Sequence, residues 1–134
     1  MAGENRAIFF LSLHSNAPGS ATPAEQYAAV RGAVTYYSIS DPVRNADLAT
    51  RLNNAVSACM DTTNRGIKTR TYPDRPDLDY YGVLRNSVRY GCTCAMLIEH
   101  GFHTNRFDAE FLTDDACLAR LACAEAEVID KFFS

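Results

Sequence analysis

Glu99, His100 and His103 stand around a single glycine, Gly101, at the point where the apolar run Cys94-Ala95-Met96-Leu97-Ile98 gives way to polar residues. Such a run reads as a strand buried on both faces, and a buried strand accommodates an ionised carboxylate only where it is paired, metal-bound or catalytic. Burial raises a carboxyl pKa toward the range a general base requires, so Glu99 is the first candidate for acid–base chemistry; pairing with an arginine is the structural alternative. His14 is the second. The run Ala7 to His14 reads as a central strand with Ile8, Phe10, Ser12 and His14 on one face, and His14 ends it, where an imidazole can bind metal or serve as a capped core group. His103 and Asn105 fall in a loop and can satisfy backbone groups.

The elements that must position these side chains alternate in type. Ser15 to Ser20 reads as a loop, Thr22 to Arg31 admits a short surface helix, and Ala33 to Ser38 is a second strand rich in β-formers. Asp41-Pro42 is a cap followed by proline at the first helical position, after which Leu48, Ala49, Leu52, Ala55, Val56 and Cys59 recur at helical spacing. Asn64-Arg65-Gly66 ends that connection, Ile67 to Tyr72 suits an edge strand, and Pro73 to Asp77 reads as a loop. Asp79 to Arg89 carries no decisive pattern. Thr113-Asp114-Asp115 offers an N-cap to a terminal helix with Leu118, Leu121, Ala122, Val128, Ile129 and Phe132 on one face. Strands alternating with helices imply an α/β fold with its site beyond the carboxyl ends of the strands, where His14 and Glu99 both fall.

Composition narrows the function classes. The 134 residues suit one domain, 1–134, and a net charge of −3 argues against nucleic acid as a general partner. No stretch approaches the roughly 20 apolar residues of a membrane span, and Met1 to Arg6 lacks the basic start and apolar core of a signal peptide. The expectation is therefore a cytoplasmic chain until release or export by other means. Cys59, Cys92, Cys94, Cys117 and Cys123 are an odd set that suits free thiols, and Cys92-x-Cys94 is too tight for a usual zinc pair.

Four motifs, "FLSLHSNA", "NRGIK", "YGVLRNS" and "LIEHGFHTNRFDAEFL", occur in this order. Together they resemble the zinc-dependent N-acetylmuramoyl-L-alanine amidases of type 3, from about Arg6 to the C-terminus. The resemblance implies an α/β fold, a mixed twisted β-sheet flanked by helices. It implies a Zn2+ ion held by a pair of histidines and a glutamate, a second glutamate in catalysis, and peptidoglycan as the substrate, cut between N-acetylmuramic acid and L-alanine at the cell wall or outside the cell. His14 matches the last metal ligand, Glu99 the catalytic glutamate, and Asn16 and Arg85 lie in motifs that imply substrate binding.

The family's first histidine and its ligand glutamate lie upstream of the histidine strand, where this sequence has thirteen residues and Glu4 as its carboxylate. The chain thus resembles the C-terminal two-thirds of the domain, with an incomplete zinc site. An absent first strand and helix would expose apolar sheet, so self-association or a partner chain completing the domain is expected. Two rivals keep the same residues: a non-catalytic cell-wall-binding or assembly module, and an unrelated α/β domain in which Glu99 and His14 form a structural pair.

Overall fold

Residues 95–102 are apolar except at Glu99 and His100, and they form a strand buried at every position but Glu99, which is half-buried. The computed structural model describes residues 6–134. Its elements are β1 (Phe10–Asn16), β2 (Ala33–Tyr37), α1 (Pro42–Cys59), β3 (Asn64–Lys68), β4 (Thr71–Tyr72), β5 (Arg75–Asp79), α2 (Gly82–Arg89), β6 (Ala95–Phe102), α3 (Arg106–Leu112) and α4 (Asp115–Phe133). A 3-10 helix at Ala24–Ala29 fills the segment that admitted a surface helix. The main sheet has the order β1-β6-β2-β3: β6 runs parallel to β1 and antiparallel to β2, and β2 runs parallel to β3. It is the expected mixed, twisted sheet flanked by helices.

The register sorts side chains between two faces, because residues directly opposite each other point the same way. Met96 and Ile98 share one face with Ala33, and α1 and α4 cover it through Leu48, Leu52, Val56 and Leu121. Each such leucine or valine contributes roughly 1.5–3 kcal/mol by leaving water. Helix α1 starts where the sequence places it: the Asp41 carboxylate accepts from Arg44 N at 3.3 Å, with Pro42 in the first turn. Helix α4 likewise starts at Asp114, whose side chain accepts from Cys117 N at 2.8 Å. On the opposite face lie Phe10, Ala95, Leu97 and Tyr36, covered by Leu84 of α2 and by Tyr81. The cover is smaller there: His14 is exposed and Glu99 half-buried.

Several expectations change, among them Asn64–Gly66, which opens β3, and Arg75–Asp77, which lies in β5 and not in a loop. Strand β1 runs from Phe10 to Asn16 rather than ending at His14, because the lengthened β6 supplies Phe102 as a partner for Asn16 and His103 N donates to Asn16 O at 3.0 Å. Glu99 therefore lies within a strand, not after it. The segment Ile67 to Tyr72 divides: Ile67 and Lys68 complete β3, whereas Thr71 and Tyr72 turn at Pro73-Asp74 and pair with β5 in a separate hairpin. Pro76 is tolerated there because a two-stranded ribbon leaves N–H positions that need no partner. Asn105 is the N-cap of α3, accepting from Phe107 N at 3.1 Å and Asp108 N at 3.3 Å, in a stretch read as loop. On α4, Leu118 and Ala122 face water and Glu125 takes a buried place, because Glu125 has a partner in His100. All five cysteines are free, Cys92 and Cys94 are buried, and burial pushes the Cys94 thiol up to about 11.

One buried carboxylate joins the turn after β6 to the rest. Asp108 Oδ2 accepts from Gly32 N and Phe102 N, each at 3.0 Å, while Oδ1 accepts from Thr62 Oγ1 at 2.7 Å and Arg31 Nη2 at 3.1 Å. Gly101 makes room for it: at φ +121 a Cβ would lie 2.9 Å from Asp108 Oδ2. Gly101→Ala should therefore cost about 1–3 kcal/mol in urea unfolding. Gly66→Ala, at φ +78 with no heavy atom within 4 Å of the added carbon, carries backbone strain alone and should cost less.

Candidate active site

His14 on β1 and Glu99 on β6 are direct register partners, and Val34 of β2 faces Glu99 from the other side. All three share the sheet face that α2 leaves partly open. Glu99 Oε2 is buried without a hydrogen-bond partner. Burial pushes the Glu99 carboxyl above its ordinary range, and the nearby imidazoles of His14, His100 and His103 oppose that shift to the extent they are charged. A carboxyl so placed takes up and holds a proton more readily than an exposed one and can release it again.

The three histidines are held differently. His14 is exposed and shares a hydrogen bond of 2.9 Å between its Nε2 and Ser12 Oγ, from the same face of β1. His103 is exposed in the turn after β6, its Nδ1 3.1 Å from Ser15 Oγ. His100 points to the opposite, buried face, with Nδ1 3.0 Å from His14 O and Nε2 2.9 Å from Glu125 Oε1. A carbonyl oxygen only accepts, so Nδ1 donates to His14 O, which leaves Nε2 facing the Glu125 carboxyl. The ring ties β6 to the backbone of His14 and to α4, which holds His14 and Glu99 in register.

Of the residues implied for substrate binding, Asn16 lies two residues beyond His14, its Oδ1 accepting from Ala17 N at 2.8 Å. Arg85, on α2, donates to Asp79 O at 2.9 Å and Tyr80 O at 3.1 Å and so pins the hairpin to the helix. No hydrogen bond or ion pair among the described residues joins Arg85 to His14 or Glu99. Zinc does not fit these side chains as a complete centre: no group of three His, Cys, Asp or Glu among the described residues is placed to hold a metal ion. Glu4 lies outside the described residues.

The family model described as N-acetylmuramoyl-L-alanine amidase matches residues 1–131. The chain belongs to this amidase family. It is 29% identical over 112 residues to the N-acetylmuramoyl-L-alanine amidase LytC of Bacillus subtilis, a match covering 83% of this chain and 18% of LytC. Cwp6 from Clostridium difficile has the same fold with a TM-score of 0.80 at 24% identity, over 99% of this chain and 19% of Cwp6. The amidase AmiC2 of Nostoc punctiforme superposes with a TM-score of 0.73 at 26% identity, over 98% of this chain and 61% of that one. The chain thus spans less than a fifth of the length of LytC and Cwp6.

The buried His100–Glu125 pair and the Asp108 hub were not read from the sequence. Each had a signal. Glu125 interrupts an otherwise apolar helical face, and Asp108 stands at the third helical position after Asn105, with its side chain turned inward instead of toward the helix terminus.

Proposed function

We propose that the chain contributes to hydrolysis of the amide between the lactyl group of N-acetylmuramic acid and the L-alanine of the peptidoglycan stem peptide, with Glu99 moving the protons. The observation that carries this reading is the buried, unpartnered Oε2 of Glu99, on the open sheet face beside His14. As a carboxylate, Glu99 accepts a proton from the water that attacks the amide carbonyl. As a carboxylic acid it returns that proton to the departing L-alanine nitrogen when the C–N bond breaks. Its raised pKa favours holding the proton between the two steps. Asn16 and Arg85 are the proposed substrate-binding residues, Arg85 in part by fixing the hairpin beside the open face.

The zinc implied by the family requires more than His14. In this reading further histidine and glutamate donors come from polypeptide outside residues 6–134, in the same or a second chain. The outer edge of β1, which pairs with no described strand and carries the exposed Leu13, supports such an association. In equilibrium dialysis the chain alone should bind zinc far more weakly than a three-donor site, and His14→Ala should remove what binding remains. Tight stoichiometric zinc that survives His14→Ala would place the metal elsewhere.

The incomplete donor set favours one alternative, a module that binds the wall without turnover. Purified peptidoglycan separates the two readings. New L-alanine amino termini, released by the chain with a polypeptide supplying the upstream donors, support hydrolysis; co-sedimentation with the wall and no release supports the binding module. No helix of the described residues is long and apolar enough to cross a membrane.

A further inference from the structure

The β4–β5 hairpin brings a cation to the open face that the proton transfers do not use. Arg70 is exposed at the start of the hairpin, its guanidinium carbon 3.8 Å from the Tyr80 ring centroid and 5.7 Å from that of Tyr81. Tyr81 meets Tyr80 edge-on at 5.6 Å and Tyr36 at 5.0 Å. Tyr36 lies two residues along β2 from Val34, the register partner of Glu99, so the Glu99–Tyr36 diagonal is roughly 7–8 Å. An aromatic path therefore leads from the proposed proton carrier through Tyr36 and Tyr81 to Arg70, within the span of a few extended residues at about 3.3–3.6 Å each.

The chemistry of Arg70 selects the ligand. Arg31, Arg51, Arg75 and Arg106 each pair with an aspartate or glutamate, whereas Arg70, like Arg44, Arg65, Arg85, Arg89 and Arg120, has no ion pair among the described residues, and of these it is Arg70 whose guanidinium lies against Tyr80 and Tyr81. The Arg70 guanidinium lies over the Tyr80 ring and is hydrogen-bonded to the Tyr81 side chain, and the donors of the fork which that bond does not use can receive a carboxylate. Burial, and then the adjacent Tyr81, push the Tyr36 phenol up, so it stays neutral and adds no competing negative charge.

We propose that Arg70, held over Tyr80 and against Tyr81, is a specificity-determining residue that receives the free carboxylate of the stem-peptide residue following L-alanine. The assignment rests on the amidase reading, and its test separates the two. The probes are N-acetylmuramoyl-L-alanyl-D-glutamate and its counterpart with that α-carboxylate amidated, titrated into the full chain by calorimetry and by chemical-shift mapping. The free acid should bind at least about fivefold more tightly, and shifts should cover Tyr36, Tyr81 and Arg70. Arg70→Gln should abolish the preference while retaining the amidated probe. Arg106→Gln removes the same charge from an exposed site on α3 and should leave the preference intact.

Equal affinity for the two probes, or a preference that survives Arg70→Gln, would overturn the assignment and leave the amidase reading standing. Failure of both probes to perturb this face would overturn both. A preference lost in Arg70→Gln from a chain that hydrolyses nothing, even with the upstream donors supplied, would uphold the assignment and favour the binding module.

Discussion

If the chain with the upstream donors supplied hydrolyses the muramoyl–alanine amide as proposed, Glu99→Gln should lower that rate by about 10² or more, the scale expected when a positioned acid–base group is removed. The carboxamide keeps the size and position of the side chain and can neither accept the water proton nor return it. The same variant should be more stable than the parent at neutral pH. Glu99 has its pKa raised by burial, so ionising it costs folding free energy: its contribution is intact below the unfolded pKa and is lost as pH rises through the folded value. The gain in urea midpoint for Glu99→Gln should accordingly shrink as pH falls through the raised folded value and be gone by the ordinary carboxylate pKa. Turnover retained in full would remove Glu99 from the mechanism. Turnover and stability lost together would make it a structural residue.

Asp108→Ala should cost about 3–5 kcal/mol in equilibrium unfolding, the largest stability effect expected of a single change here. The carboxylate is 1% exposed, and its loss leaves the Gly32 and Phe102 N–H groups without acceptors and strips Arg31 of its ion pair. Asp108→Asn should cost less, about 1–3 kcal/mol, because one oxygen remains while an NH2 now meets a donor. The pH dependence has the opposite sign to that of Glu99. Burial pushes the Asp108 carboxyl up, but the bonds from Thr62, Phe102 and Gly32, with the charge of Arg31, outweigh it and hold the pKa below its ordinary value. Its contribution is present in full above the unfolded pKa of about 3.9 and is lost as pH falls through the lower folded value. The gap between parent and Asp108→Asn should close over that acid range.

The strong local patterns survive folding nearly unchanged. The Asp41-Pro42 start of α1, its Leu48-Leu52-Val56 stripe and the Asp114 cap of α4 are set by backbone hydrogen bonds and side-chain spacing within a few residues, and so are readable in one dimension. The period of two likewise placed Phe10, Ser12 and His14 on one face. The hairpin was less readable. Whether Thr71 and Tyr72 extend an edge strand or turn back depends on the partner that β5 supplies, and β-pairing is decided across the sheet more than within a segment.

One-dimensional pattern suffices to show which residues carry ionisable chemistry, that apolar strands deliver His14 and Glu99, and, through four motifs, the family to which the chain belongs. That those two residues stand opposite each other, that β6 continues through Glu99 to Phe102, and that His100 turns away to meet Glu125 emerge only on folding. The reason is separation along the chain. His14 and Glu99, His100 and Glu125, and Asp108 with Gly32 and Arg31 meet only after the sheet has closed, and the desolvation that raises one carboxyl, like the donors that lower another, belongs to that closed state.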